Sequence, residues 1–232
     1  MADVLSCEHL WKSYGGRMVL TDLNLHVQGG RIVGLLGPNG SGKTTLMKLV
    51  NGLLVPNSGT IFIDGYTPGV ESKKIVSYLP DAEYLSDWMT VNRLVAMFAD
   101  FYDNFDPVKA QEMLNALKIS GMERLKTLSK GTKEKVQLIL AMSRKARLYM
   151  LDEPIGGVDP AARDYILNTI IGNYSEDAAV VITTHLISDI EQVLDEAVFL
   201  RDGQVMLHKS VDEIRQNDGK SVDDLFREVF RC

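Results

Sequence analysis

Cysteine is nearly missing from this 232-residue chain: Cys7 and Cys232 lie near opposite ends, with no metal-type spacing and no disulfide framework. Such usage fits a reducing compartment. Long apolar runs are missing too. No stretch approaches the roughly 20 apolar residues needed to span a bilayer. Met1-Ala2-Asp3-Val4 does not open a basic segment followed by an apolar one, so no leader is expected and any membrane role would come through a partner. Positive charge is not in excess: 25 Lys and Arg against 31 Asp and Glu give a net charge of −6. That disfavours a large nucleic-acid footprint, which needs clustered cations to displace counterions. Internal repeats, low-complexity segments and long linkers are absent as well. What remains is an ordinary globular composition, 45% hydrophobic and 24% charged. Single cores stop growing at about 250 to 300 residues, so one domain over 1–232, carrying an insertion, is expected.

The most informative segment is Gly37-Pro38-Asn39-Gly40-Ser41-Gly42-Lys43-Thr44, set between the apolar runs Ile32–Leu36 and Leu46–Val50. That order predicts a strand, a turn and a helix start, the context in which this pattern becomes a phosphate cradle. Its glycines let backbone N–H groups close around phosphate oxygens, and the helix N-terminus adds partial positive charge. Lys43 can reach the outer phosphates as a point charge, and the Thr44 hydroxyl can hold Mg²⁺. With Thr45, the run Gly37 to Thr45 is the candidate nucleotide-binding set for a nucleoside triphosphate.

Elsewhere the pattern is of alternating elements. Gly15-Gly16 separates Val4–Trp11 from Met18–Val27, predicting an antiparallel hairpin. Strands follow at Thr60–Asp64 and Ile75–Leu79. Between Asp81 and about Arg147 the spacing turns helical. Thr90 is a candidate N-cap for a helix to Phe101, Asp106-Pro107 opens a second, and Lys133–Ala146 is a third. These three predict an inserted helical subdomain of about 81–147. Strands at Leu148–Leu151, Ala179–Thr183 and Ala197–Leu200 then alternate with helices at Pro160–Ile171 and Leu186–Leu194, implying a parallel sheet. Val205–Leu207 closes a hairpin. Apolar residues from Val222 to Phe230 predict a short C-terminal helix at about 221–232, packed on its own domain or offered to a partner.

Leu148–Leu151 ends in Asp152-Glu153, and ligands of open parallel sheets sit at the carboxyl ends of strands. Asp152 is placed to hold the Mg²⁺ through its shell, facing Thr44. Glu153, one residue on, points differently and can polarise an attacking water. Before the third helix stands Leu128-Ser129-Lys130-Gly131-Thr132, with Ser129 as a candidate N-cap.

Leu128–Thr132 resembles the signature motif of ATP-binding cassette (ABC) ATPases, and the resemblance extends over essentially the whole chain. Gly157-Val158-Asp159 is similar to that family's D-loop, and Thr184-His185 to its switch histidine. The resemblance implies an α/β fold: a P-loop NTPase core with a parallel sheet, an N-terminal antiparallel β-subdomain and the helical insertion. It implies ATP and Mg²⁺ as cofactors, with Glu153 and His185 as the catalytic pair. Tyr14 matches the aromatic that stacks on adenine, although a half-buried strand residue is an equal reading. A head-to-tail homodimer, or a heterodimer with a related cassette, is implied on ATP binding. There Ser129, Lys130 and Gly131 of one subunit close over ATP held by the other, and Asp159 touches the opposite subunit. A separate integral-membrane permease is implied, with the ATPase in the cytoplasm on the inner face of the membrane. Docking is expected around Asp81 to Tyr102, where Tyr84, Leu85, Trp88 and Met89 read either as an interface or as a buried patch.

Some positions depart from the family's pattern. Asp81 follows Pro80 where glutamine is usual; ionised, it accepts but cannot donate, so it is either a contact to metal or water or a simple loop acid. Lys130 stands in place of a glycine and is either a cation near the partner's phosphate or a solvated charge. Thr132 replaces a glutamine and Gly156 a serine. Lys130 and Asp81 look similar to variants in bacterial efflux-type cassettes, so export is preferred over import. A non-transport ABC ATPase would carry two cassettes or a long coiled coil, and a P-loop kinase or GTPase would lack the Ser129 motif and His185. A regulatory module that binds ATP without turnover is opposed by Glu153 and His185.

Overall fold

The computed structural model describes residues 3–156 and 160–231, and the D-loop candidate Asp159 lies outside the described residues. Two twelve-residue strands, β1 (Asp3–Tyr14) and β2 (Arg17–Gln28), fold back on each other about Gly15-Gly16, both at positive φ. The chain continues through β3 (Ile32–Leu36), α1 (Lys43–Val50), β4 (Ser58–Ile63), α2 (Val70–Ile75) and β5 (Val76–Leu79). Helices α3 (Val91–Phe101), α4 (Pro107–Ala116) and α5 (Lys130–Met142) form the insertion. Then come β6 (Leu148–Asp152), α6 (Pro160–Asn173), β7 (Ala179–Thr183), α7 (Ile187–Ile190), β8 (Glu196–Arg201) and β9 (Gln204–Ser210). Two helices, α8 (Val211–Glu213) and α9 (Val222–Val229), follow.

A three-stranded antiparallel sheet has the order β2-β1-β4, and a six-stranded sheet the order β5-β6-β7-β3-β8-β9. In the larger sheet only β9 runs antiparallel to its neighbour. Strands β3, β6 and β7 are buried along their whole length, as continuous apolar runs covered on both faces require. Their order in the sheet sets the P-loop after β3, the acids after β6 and His185 after β7 beside one another.

Local capping places the helices. Thr90 Oγ1 accepts from Arg93 N at 3.3 Å, and Asp106 Oδ1 accepts from Val108 N and Lys109 N at 3.1 and 3.0 Å, with Pro107 in the first turn. Helix α5 starts three residues earlier than its apolar spacing indicates, because Ser129 Oγ accepts from Thr132 N at 3.2 Å. It also stops at Met142, short of the expected Ala146. Just beyond, the Arg144 side chain turns inward and is 4% exposed. Its guanidinium donates to Asn104 Oδ1 (3.1 Å) and to the carbonyls of Val76 (2.5 Å), Lys73 (2.9 Å) and Lys74 (3.1 Å). It lies 3.8 Å from the Tyr102 ring centre. Burial lowers its pKa, and the nearby tyrosines oppose that shift. The guanidinium thus joins the end of α5 to the root of β5.

Two apolar cores flank the large sheet. One packs the helical insertion, α6 and α9 against it; the other packs α1 between it and the antiparallel sheet. The expected patch at 84–89 divides: Met89 is buried and Leu85 packs on the core, Trp88 is exposed, and Tyr84 keeps an exposed surface while its hydroxyl lies buried near Tyr102 and Arg144. Helix α9 packs on its own domain, setting the Phe226 and Phe230 rings 5.5 and 5.8 Å from Phe199. Aromatic pairs at such distances add about 0.5–1.5 kcal/mol beyond their area burial.

Candidate nucleotide site

The loop after β3 is curled too tightly for most side chains. A Cβ at Gly37 would lie 2.3 Å from the Leu200 carbonyl, and one at Gly42 (φ 109°) would lie 2.6 Å from Leu20 Cδ2. Gly42 is also the N-cap of α1 and offers no side-chain cap, so the first N–H groups of that helix are left for an outside acceptor. Lys43 Nζ folds back onto the carbonyls of Gly37 (2.6 Å) and Pro38 (3.1 Å). Burial lowers the Lys43 pKa, while Glu153 and Asp152 pull it upward. An ammonium held by neutral carbonyls beside two acids is poised to exchange them for phosphate oxygens. Ser41 Oγ is buried and finds no partner among the described residues.

The acids are placed by the pairing of β6 with β7, which puts Asp152 opposite Thr183. Asp152 is 3% exposed. Its Oδ1 accepts from Thr183 Oγ1 at 2.5 Å, and its Oδ2 has no partner among the described residues. Glu153 sits at φ 53°, a left-handed conformation that costs a non-glycine residue about 1–3 kcal/mol. Its N–H donates to Thr183 O (3.1 Å) and Thr183 Oγ1 (3.2 Å). Its Oε2 lies 2.9 Å from His185 Nδ1 and accepts from His185 N at 3.4 Å. The left-handed turn therefore swings the Glu153 carboxylate onto the histidine, away from its sequence neighbour Asp152.

These groups line two cavities that share a wall. One, about 220 Å³, is bounded by Asn39, Gly40, Gly42, Lys43, Thr44 and Thr45 on the P-loop side and by Asp81, Asp152 and Glu153 opposite. The other, about 310 Å³, shares Asn39, Asp81, Asp152 and Glu153 and adds Lys130, Glu134, Gln137 and His185. The oxygen-rich wall suits a hard divalent cation: Thr44 is an exposed residue lining the cavity, and Asp152 Oδ2 is buried with no hydrogen-bond partner among the described residues. Among the described residues, no three His, Cys, Asp or Glu side chains cluster as a self-sufficient metal cage. Mg²⁺ is commonly held by one or two protein groups plus phosphates and water.

Other candidate residues lie apart. Tyr14, 45% exposed at the end of β1, lines neither cavity; Lys12 Nζ stands 5.3 Å from its ring centre. Ser129 and Gly131 line neither, and the Ser129 hydroxyl is engaged with Thr132 within α5. Lys130 stands on the rim with its side chain 77% exposed, 3.8 Å from Glu134 Oε1. Two groups in or behind the site stand outside the sequence expectations. Gln137, buried on α5, has its Oε1 3.4 Å from Tyr84 N. Thr183 ends an otherwise apolar strand, and that polar last residue was the available signal.

The strand–loop–helix cradle and the mostly parallel six-stranded sheet define a P-loop nucleotide-binding protein with a helical insertion. Residues 20–156 match the family described as ABC transporter. Over 220 residues the chain is 33% identical to the ABC transporter ATP-binding protein YtrB of Bacillus subtilis (strain 168), covering 92% of this chain and 74% of that one. It is 31% identical over 209 residues to the SkfA peptide export ATP-binding protein SkfE of the same organism, covering 88% and 87% of the two chains. A solved structure of an ATP binding subunit of an ABC transporter superposes with a TM-score of 0.88 at 29% identity, covering 98% of this chain and 100% of that one. The chain belongs to the ABC transporter family, as an ATP-binding subunit. Such subunits work with membrane-embedded partners, and no helix among the described residues is long and apolar enough to cross a membrane.

Proposed function

We propose that the chain hydrolyses ATP with Mg²⁺ to drive a separate membrane permease. The observation that carries this reading is the convergence of Lys43, Thr44, Asp152, Glu153 and His185 at the ends of three neighbouring parallel strands, with Asp152 Oδ2 unpartnered. Lys43 and the α1 N-terminus bind the polyphosphate, and Gly37 to Thr45 shape its cradle. Thr44 and Asp152 are the Mg²⁺ holders, with Asp81 on the same wall. A cation held by Thr44 and Asp152 would supply positive charge to offset what develops on the phosphate. Glu153 accepts a hydrogen bond from the attacking water and polarises it, while His185 holds that carboxylate and faces the terminal phosphate. Tyr14 stacks on the adenine. Ser129, Lys130, Gly131 and Asp159 act across a head-to-tail dimer, a reading supported by the Ser129 end of α5 lying outside the phosphate cavity of its own chain. Nucleotide can shift the closed dimer only by binding it better than the open form.

The permease docks beside the Asp81–Tyr102 segment, where Tyr84 and Trp88 are exposed, and holds the subunit to the cytoplasmic face of the membrane. Export is the direction supported by the relative named for peptide export. A phosphate-release assay on the purified chain, alone and with its permease, tests the whole reading. Turnover in either preparation is expected. Its absence from both would leave an ATP-binding regulator instead.

A further inference from the structure

We propose that Thr183 is a positioning residue for both acids of the site, an inference that rests on the reading of Asp152 and Glu153 given above. Its side chain is completely buried, at the last position of β7 and directly across from Asp152 on β6. A threonine hydroxyl has one proton to give and lone pairs to receive. Here the proton goes to Asp152 Oδ1, and a lone pair receives the Glu153 N–H, which is shared with the Thr183 carbonyl. One oxygen atom therefore touches both acids.

Each contact has a distinct consequence. On Asp152, engaging Oδ1 fixes the carboxylate rotamer and leaves Oδ2 as the atom with no described partner, the one available to the shell of a cation. On Glu153, the shared N–H secures a residue whose φ of 53° is unfavourable for a side chain of its size. That conformation brings Glu153 Oε2 within 2.9 Å of His185 Nδ1. Without the hydroxyl, Asp152 is free to turn and Glu153 keeps only the carbonyl. Groups that orient a metal-facing carboxylate commonly matter about 10–100-fold to metal affinity or activity.

The test compares Thr183→Val, which keeps the shape and β-branching but removes the hydroxyl, with Thr183→Ser, which keeps the hydroxyl. Calorimetric titration with a non-hydrolysable ATP analogue is run with Mg²⁺ and with a chelator, alongside kcat and KM for ATP and the thermal midpoint. In wild type, Mg²⁺ is expected to tighten analogue binding. In Thr183→Val that Mg²⁺-linked gain and kcat should each fall about tenfold or more, while affinity in chelator and KM change little and the fold persists. Thr183→Ser should restore both. A full Mg²⁺-linked gain and native kcat in Thr183→Val would overturn the role of Thr183 and leave the site reading standing. Equal losses in Val and Ser would also overturn it, because the hydroxyl would then be irrelevant. Wild type showing no Mg²⁺-linked gain would overturn the site reading itself and the proposal with it.

Discussion

The carboxyl ends of β3, β6 and β7 and the N-terminus of α5 both carry motifs proposed above to meet phosphate, yet they are built differently. At the strand ends, an ammonium, two carboxylates and an imidazole meet around shared cavities, and the carboxylates and imidazole are held by partners about thirty residues away, Thr183 for Asp152 and Glu153 for His185. At α5 the organisation is local: Ser129 caps its own helix, Lys130 pairs one turn along with Glu134, and neither Ser129 nor Gly131 reaches a cavity wall. The strand-end half is preorganised by sheet register. The helical half lends Lys130, Glu134 and Gln137 to the rim of the same cavity but turns Ser129 and Gly131 outside it.

Three substitutions test that contrast. The largest effect is expected at Glu153→Gln, which keeps the shape but removes the basic carboxylate. Phosphate release should drop by about 10²–10⁴-fold with nucleotide binding retained and a nucleotide-bound dimer accumulating, read by light scattering. A native rate would reassign the water-polarising role. Lys43→Ala comes next: loss of a charge-assisted contact of about 1.5–3 kcal/mol should weaken nucleotide binding by about 10–100-fold, measured by titration of the isolated subunit. Ser129→Ala is expected to be mildest in the isolated chain, costing about 1 kcal/mol of stability as a lost cap and leaving monomer affinity unchanged. Its cost should surface only in turnover of the assembled transporter. Weakened nucleotide binding by the Ser129→Ala monomer would erase the distinction between the two halves.

Much of the architecture was legible because its signals are local. Thr90 and Asp106 cap the helices they were expected to cap, and the fully apolar runs became the covered strands. Helix α5 was placed three residues late at its start because the apolar periodicity begins inside it, whereas its beginning is set by the Ser129 hydroxyl. Helices α2 and α8 escaped notice: at six and three residues they have too few turns for a periodic pattern. The apolar residues 84–89 could not be sorted by composition, since only tertiary packing separates buried Met89 from exposed Trp88. Lys43 could be placed because a strand, a glycine-rich loop and a helix start follow in order, and Asp152, Glu153 and His185 because they stand at or just past the ends of apolar strands. The work of Thr183 was not, because a single hydroxyl acquires it only through the register of β7 against β6.

The joint at Arg144 has a chemical consequence of its own. Its acceptors are three main-chain carbonyls and an amide, none of which takes up a proton across the ordinary acid range, so the joint carries no carboxylate that mild acid could neutralise. Ion pairs such as Lys133 with Asp87 depend on a carboxylate, and this fastening does not. A thirteen-residue rod, about 20 Å long, is therefore riveted at one end to β5 by a bond set without an acid-sensitive carboxylate, with Ser129, Lys130 and Gly131 carried at the other.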